Sequence, residues 1–303
     1  MRGEKAAVNP AGFSKVKLFA AITLFVSIWV LAVSMTLAAQ EEAEGELTVI
    51  DTMVTVEGIR FHFQVIEGGE PTILLEAGGG MDLTEWADIG QRFARETGSK
   101  IVSYSRAGFG KSDLPEAPCD MKVEAAWLWS ALDQLGLGRN IILVGHSYGG
   151  WMIRLEASEY PDDVSGIVFV DPFSVEFVDL LGVEYLDNHP MMGKLPFDTS
   201  DLSKLDRYQL AMVRMVKGGL GPKMEIMKET VVSEGVPVVI IASGLQTLPK
   251  VKEQEAWDKA LKQMAASIDG AVLVTAEESN HMIPWNQPDI VVEAVKETVG
   301  KVR

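Results

Sequence analysis

Two residues have the type and surroundings for nucleophilic catalysis: Ser147, within Gly145-His146-Ser147-Tyr148-Gly149-Gly150, and His281, within Ser279-Asn280-His281-Met282-Ile283-Pro284. A serine hydroxyl is a weak nucleophile until a base takes its proton, and histidine is the side chain whose basicity suits that task near neutral pH. The histidine in turn needs a carboxylate that fixes its tautomer and stabilises its cationic form. Where such a serine sits on a strand-to-helix turn, the chain order is serine, acid, histidine, so the acid lies between residues 147 and 281. Asp171 ends the apolar run Gly166-Ile167-Val168-Phe169-Val170, the next strand after the serine, and its side chain is expected on the site face. Glu278, three residues before the histidine, is the alternative. An aspartate before a proline also serves simply to begin a turn or cap a helix. The other histidines fit less well: His62 lies in the first hairpin, His189 in a long insertion, and His146 is locked in the turn beside the serine.

Acyl transfer also develops negative charge on the substrate oxygen, which needs hydrogen-bond donors aimed at it. One comes from the backbone N–H just after the serine, that of Tyr148, and the other from a loop early in the sheet. Glu76-Ala77-Gly78-Gly79-Gly80 suits that loop, and Gly79 is its expected donor. A dinucleotide-binding loop would instead need G-x-G-x-x-G leading into a helix, which is lacking here.

These groups must be held by strands and helices. Ile141-Ile142-Leu143-Val144 before the serine reads as a buried strand, and Trp151, Ile153, Leu155 and Ala157 after it have helical spacing up to Tyr160-Pro161. Thr48 to Val56 and Arg60 to Ile66 alternate around Glu57-Gly58 as an antiparallel hairpin, whose sheet neighbour is expected to begin at Pro71. Strands are expected at 71–77, 100–104, 140–145, 165–171, 236–242 and 271–275, with helices near 84–97, 122–136, 148–160, 251–267 and 288–301. Such alternation makes an α/β fold with a mostly parallel sheet. Pro284 and Pro288 are expected to keep the His281 loop from turning helical too early. The alternation breaks once, at about 173–235, a helical insertion rich in soft apolar side chains. Met191, Met192, Met212 and Met215 are expected either to line an apolar substrate pocket under a lid or to fill the insertion's own core.

The 303-residue chain has one core-forming domain, about residues 46–303, after an N-terminal segment, 1–39. Leu18 to Ala39 holds no charge and follows Lys15 and Lys17, so it is a signal peptide or an N-terminal membrane anchor. In both cases the remainder is exported: periplasmic, extracellular or anchored to the membrane through residues 18–39. The net charge is −16, and −19 without residues 1–39, which carry Arg2, Lys5, Lys15, Lys17 and Glu4. So acidic a surface argues against nucleic acid as a partner. Cys119 is the sole cysteine and lies in a loop, so no intrachain disulfide forms.

Four stretches resemble the α/β-hydrolase superfamily: Leu75-Glu76-Ala77-Gly78-Gly79-Gly80 with Trp86, Ser105-Arg106-Ala107-Gly108-Phe109-Gly110-Lys111-Ser112, the Gly145–Gly150 elbow, and Ser279 to Asp289. The resemblance implies an eight-stranded, mostly parallel sheet flanked by helices, with a helical lid, and a serine hydrolase needing neither metal nor cofactor. It is not specific for a substrate; small or medium hydrophobic esters are expected because the apolar lid suits a hydrophobic acyl or alcohol group, and amidase or peptidase, C–C hydrolase or cofactor-free peroxidase chemistry, or a ligand binder without catalysis, stay open. Epoxide hydrolases and dehalogenases of this fold carry an aspartate where Ser147 stands. One departure is that the family's common acid turn is replaced by Ser243-Gly244-Leu245-Gln246-Thr247-Leu248-Pro249, which holds no carboxylate.

Overall fold

In the computed structural model, residues 46–303 are described apart from 118, 119 and 191. The uncharged stretch 18–39, Cys119 and Met191 lie outside the described residues. None of the described helices is long and apolar enough to cross a membrane.

The hairpin pairs β1 (Val49–Val56) with β2 (Ile59–Ile66). Glu57 and Gly58 both take positive φ, 51° and 82°, as a two-residue turn matched to strand twist requires. The hairpin's neighbour is not the strand at Pro71. β2 instead pairs antiparallel with β4 (Ser99–Ser105), and β3 (Gly69–Glu76) lies one place further in. The reason is burial: β3 is buried continuously from Pro71 to Glu76 and needs partners on both edges, whereas β1 is largely exposed and suits the rim.

From β4 inward every pairing is parallel, giving the eight-stranded order β1-β2-β4-β3-β5-β6-β7-β8 with β5 (Ile141–His146), β6 (Val164–Val170), β7 (Val238–Ser243) and β8 (Val272–Ala276). The strands expected from apolar runs occur within two residues of their expected ends. Alternate residues go to opposite layers, as the two-residue period of a strand dictates. Leu74, Val102, Leu143 and Phe169 pack with Leu128 and Ile153 on one face, while Ile73, Leu75, Val144 and Val168 pack with Phe93, Val291 and Val295 on the other.

Between β6 and β7 the insertion supplies helices Val175–Leu181, Val183–Asp187, Arg207–Val216 and Leu220–Lys228. Met224 and Met227 are buried with Trp151, Phe177, Leu186 and Trp257. These two methionines fill a core, and Met192, partly buried, packs against it.

Candidate active site

Register brings the site together. Glu76 lies beside Gly145, His146 beside Val170, and Val170 beside Ile241, so the chain leaves β3, β5, β6 and β7 at one level. Crevices at the carboxyl ends of parallel strands are where this class of sheet holds ligands.

Ser147 sits at φ 53° and ψ −117° between β5 and helix Tyr148–Glu159. That strained backbone needs room, and glycines supply it. A Cβ on Gly149 would come within 2.5 Å of the Glu76 carbonyl oxygen, and one on Gly150 within 2.4 Å of Pro172 Cβ. The turn is pinned by bonds from the N–H groups of Gly150 and Phe173 to the Ser147 carbonyl, each 2.9 Å.

Ser147 Oγ lies 2.8 Å from His281 Nε2, and His281 Nδ1 lies 2.6 Å from Asp171 Oδ2. An ionised carboxylate only accepts, so Nδ1–H donates to Asp171 and the Nε2 lone pair faces the serine hydroxyl. Asp171 is fully buried, with its other oxygen accepting from Ser243 N–H and Trp257 Nε1–H, each at 3.0 Å. Burial works to raise its pKa, but the bond and charge of His281, together with Ser243 and Trp257, outweigh that and leave it below the ordinary carboxylate value. The Trp257 ring also stands edge-on to His281, at 5.6 Å between centroids. Glu278, by contrast, is exposed, and only its backbone N–H is engaged, donating to Gln287.

The two prolines of the histidine loop do not delay helix formation. A one-turn helix, Ile283–Asn286, begins two residues after His281 with Pro284 in its first turn, and Pro288 opens helix Pro288–Val302. Proline is tolerated there because first-turn N–H groups have no intrahelical partner.

Gly79, Ser147 and Tyr148 share the wall of a cavity of about 660 Å³, together with Phe173, Met192, Met212, Met215 and Lys223. The Gly79 N–H has no hydrogen-bond acceptor among the described residues. A Cβ built on Gly79 would stand 3.4 Å from Tyr148 Cβ, so the two backbones face each other beside the serine.

Residues 71–207 match the family model described as the α/β hydrolase fold. The chain has the α/β-hydrolase fold. An uncharacterized Bacillus subtilis protein, YqjL, is 26% identical over 248 residues, covering 80% of this chain and 88% of that protein. An Escherichia coli 2-hydroxy-6-oxononadienedioate/2-hydroxy-6-oxononatrienedioate hydrolase is 28% identical over 163 residues, 48% of this chain and 56% of that one. Among solved structures, the haloalkane dehalogenase DatA of Agrobacterium tumefaciens superposes with a TM-score of 0.60 at 18% identity, over 84% of this chain and 97% of its own.

Around this site lie further groups that carry little local signal in the sequence. His146, set aside as locked in the turn, is buried with Nδ1 2.5 Å from Glu85 Oε1 and Nε2 2.8 Å from the His281 carbonyl oxygen. Burial lowers the His146 pKa, yet the Glu85 carboxylate more than offsets this and leaves it raised. Glu85 also accepts the Gly78 N–H at 2.6 Å. A buried pair thus ties the glycine loop to the histidine loop. Its one signal in the sequence is a lone charge, Glu85, between Leu83 and Trp86, both of which are buried. Ser243 and Trp257 carry no such signal, because only the fold brings them to Asp171.

Proposed function

We propose that this protein is a serine hydrolase that cleaves small or medium hydrophobic carboxylic esters through an acyl-enzyme. The reading rests above all on the unbroken chain of short contacts, 2.8 Å and 2.6 Å, from Ser147 through His281 to Asp171 at the wall of a methionine-lined cavity. His281 takes the Ser147 proton as Oγ attacks the ester carbonyl, and Asp171 stabilises the imidazolium that forms. The N–H groups of Gly79 and Tyr148 receive the oxyanion, a donor of this kind being worth about 3–4 kcal/mol. The imidazolium then protonates the departing alcohol. In the second half His281 activates water, which releases the acid and restores Ser147. The insertion acts as a lid that supplies the apolar wall for the acyl or alcohol group.

A fluorophosphonate probe tests this directly. Stoichiometric labelling of Ser147, lost in Ser147→Ala, supports the enzyme, and an unlabelled wild type would mean a ligand-binding protein. The Escherichia coli relative favours C–C bond hydrolysis as a second reading. Turnover of p-nitrophenyl butyrate without cleavage of a 2-hydroxy-6-oxo-dienoate separates the two. For localisation we propose export through residues 18–39, because an uncharged run of that length after lysines engages the export machinery. Cell fractionation decides it, and soluble cytoplasmic protein retaining residues 1–39 would contradict it.

A further inference from the structure

We infer that Arg106 is the positioning residue that aims the Gly79 N–H into the site. Arg106 is itself buried, 4% exposed, and is not part of the Ser147 cavity wall, although its guanidinium lies 5.4 Å from the centroid of the Tyr148 ring, which is. Its fork is spent on one loop: Nη1 donates to Glu76 Oε2 at 2.8 Å and to the Ala77 carbonyl at 2.6 Å, and Nη2 donates to the Gly78 carbonyl at 2.5 Å. Two successive peptide planes are therefore held by their oxygens. In a trans peptide the N–H points opposite to the C=O. The first plane demonstrates the result, because its N–H, that of Gly78, is directed away from Arg106 to Glu85 Oε2 at 2.6 Å. The second plane is oriented by the same side chain, and its N–H, that of Gly79, has no acceptor among the described residues at the wall of the Ser147 cavity.

A cation on the oxygen side of a peptide also polarises it and strengthens the N–H as a donor. Burial opposes the guanidinium charge, but Glu76 and its neighbours outweigh that, so the cation persists. Glu76 is held in place by Tyr104, whose hydroxyl donates to Oε1. The geometry is specific to arginine: an ammonium cannot reach two carbonyls and a carboxylate from one plane.

The inference rests on the serine-hydrolase reading. The experiment compares wild type, Arg106→Met and Arg106→Lys for p-nitrophenyl butyrate kinetics and for inhibition by a trifluoromethyl ketone, whose adduct with Ser147 mimics the tetrahedral intermediate. Expected is a fall in kcat of about a hundredfold for Arg106→Met with KM little changed, a parallel loss of ketone affinity, and partial recovery in Arg106→Lys. A folded variant, judged by circular dichroism, that keeps wild-type kcat and ketone affinity overturns the inference, as does a loss confined to KM. If Arg106→Met does not fold, Arg106→Lys decides, because it retains the charge opposite Glu76. Failure of the wild type to react with fluorophosphonate would instead overturn the hydrolase reading, and this inference with it.

Discussion

Asp171 accepts from three donors at once: the imidazole of His281, the backbone of Ser243 and the indole of Trp257. A carboxylate so enclosed keeps its charge despite burial and holds the imidazole in one orientation. We expect Asp171→Asn to leave the fold intact and lower turnover of a short-chain ester by up to about ten-thousandfold, the effect of stranding the wrong tautomer. Glu278→Gln should change little, since Glu278 is exposed and His281 Nδ1 is already bonded to Asp171. Near-normal turnover in Asp171→Asn, checked by circular dichroism, would remove the acid from this role. At this scale the sequence was informative where chemistry leaves a local mark. Ser147 stands in a glycine-rich turn and Asp171 at a strand end, both visible in the linear text. The Glu85–His146 pair was not, because its members are 61 residues apart and become partners only once β3 and β5 lie side by side.

The elements differ in how openly they are written. Buried strands are short apolar runs bounded by glycine, proline or charged residues, and their spans followed from that pattern. Their neighbours did not, since nothing in β2 says that β4 rather than β3 will meet it. The insertion is the hardest case, because methionine serves core and cavity equally well. Its fold assigns the two uses: Met224 and Met227 are buried in the core, Met212 and Met215 face the cavity, and Met192 does both, lining the cavity while packing against that core. Alanine at Met212 and Met215 should therefore shift selectivity across a series of p-nitrophenyl esters of increasing chain length. Alanine at Met224 or Met227 should cost about 2–5 kcal/mol of stability, read by urea unfolding, with selectivity unchanged. The opposite assignment of effects would place the pocket elsewhere.

For the whole molecule, one buried charge cluster sets a pH dependence. Glu156, on the helix that follows Ser147, is fully buried against Glu76, and burial together with that neighbour raises its pKa well above the ordinary 4.5. The folded protein thus binds a proton there that the unfolded chain releases. The stability this contributes is fully present below the unfolded value and is lost as pH rises towards the folded one. Glu156→Gln keeps the shape without the titration, so its gain in Tm over wild type should be larger at about pH 8 than at about pH 5. An equal shift at both would mean that Glu156 is not the titrating group. The position of Asp171 has a different consequence. Ser147 and Asp171 are both carried by the single β–α–β unit running from Ile141, whereas β7 contributes to Asp171 the backbone N–H of its last residue, Ser243. In any exchange of parts between relatives, Ser147 and Asp171 would travel together as one cassette. The loop after β7 bears no charge but braces the histidine loop instead, the N–H groups of Gly244 and Leu245 both donating to the Ser279 carbonyl at 3.1 and 2.9 Å.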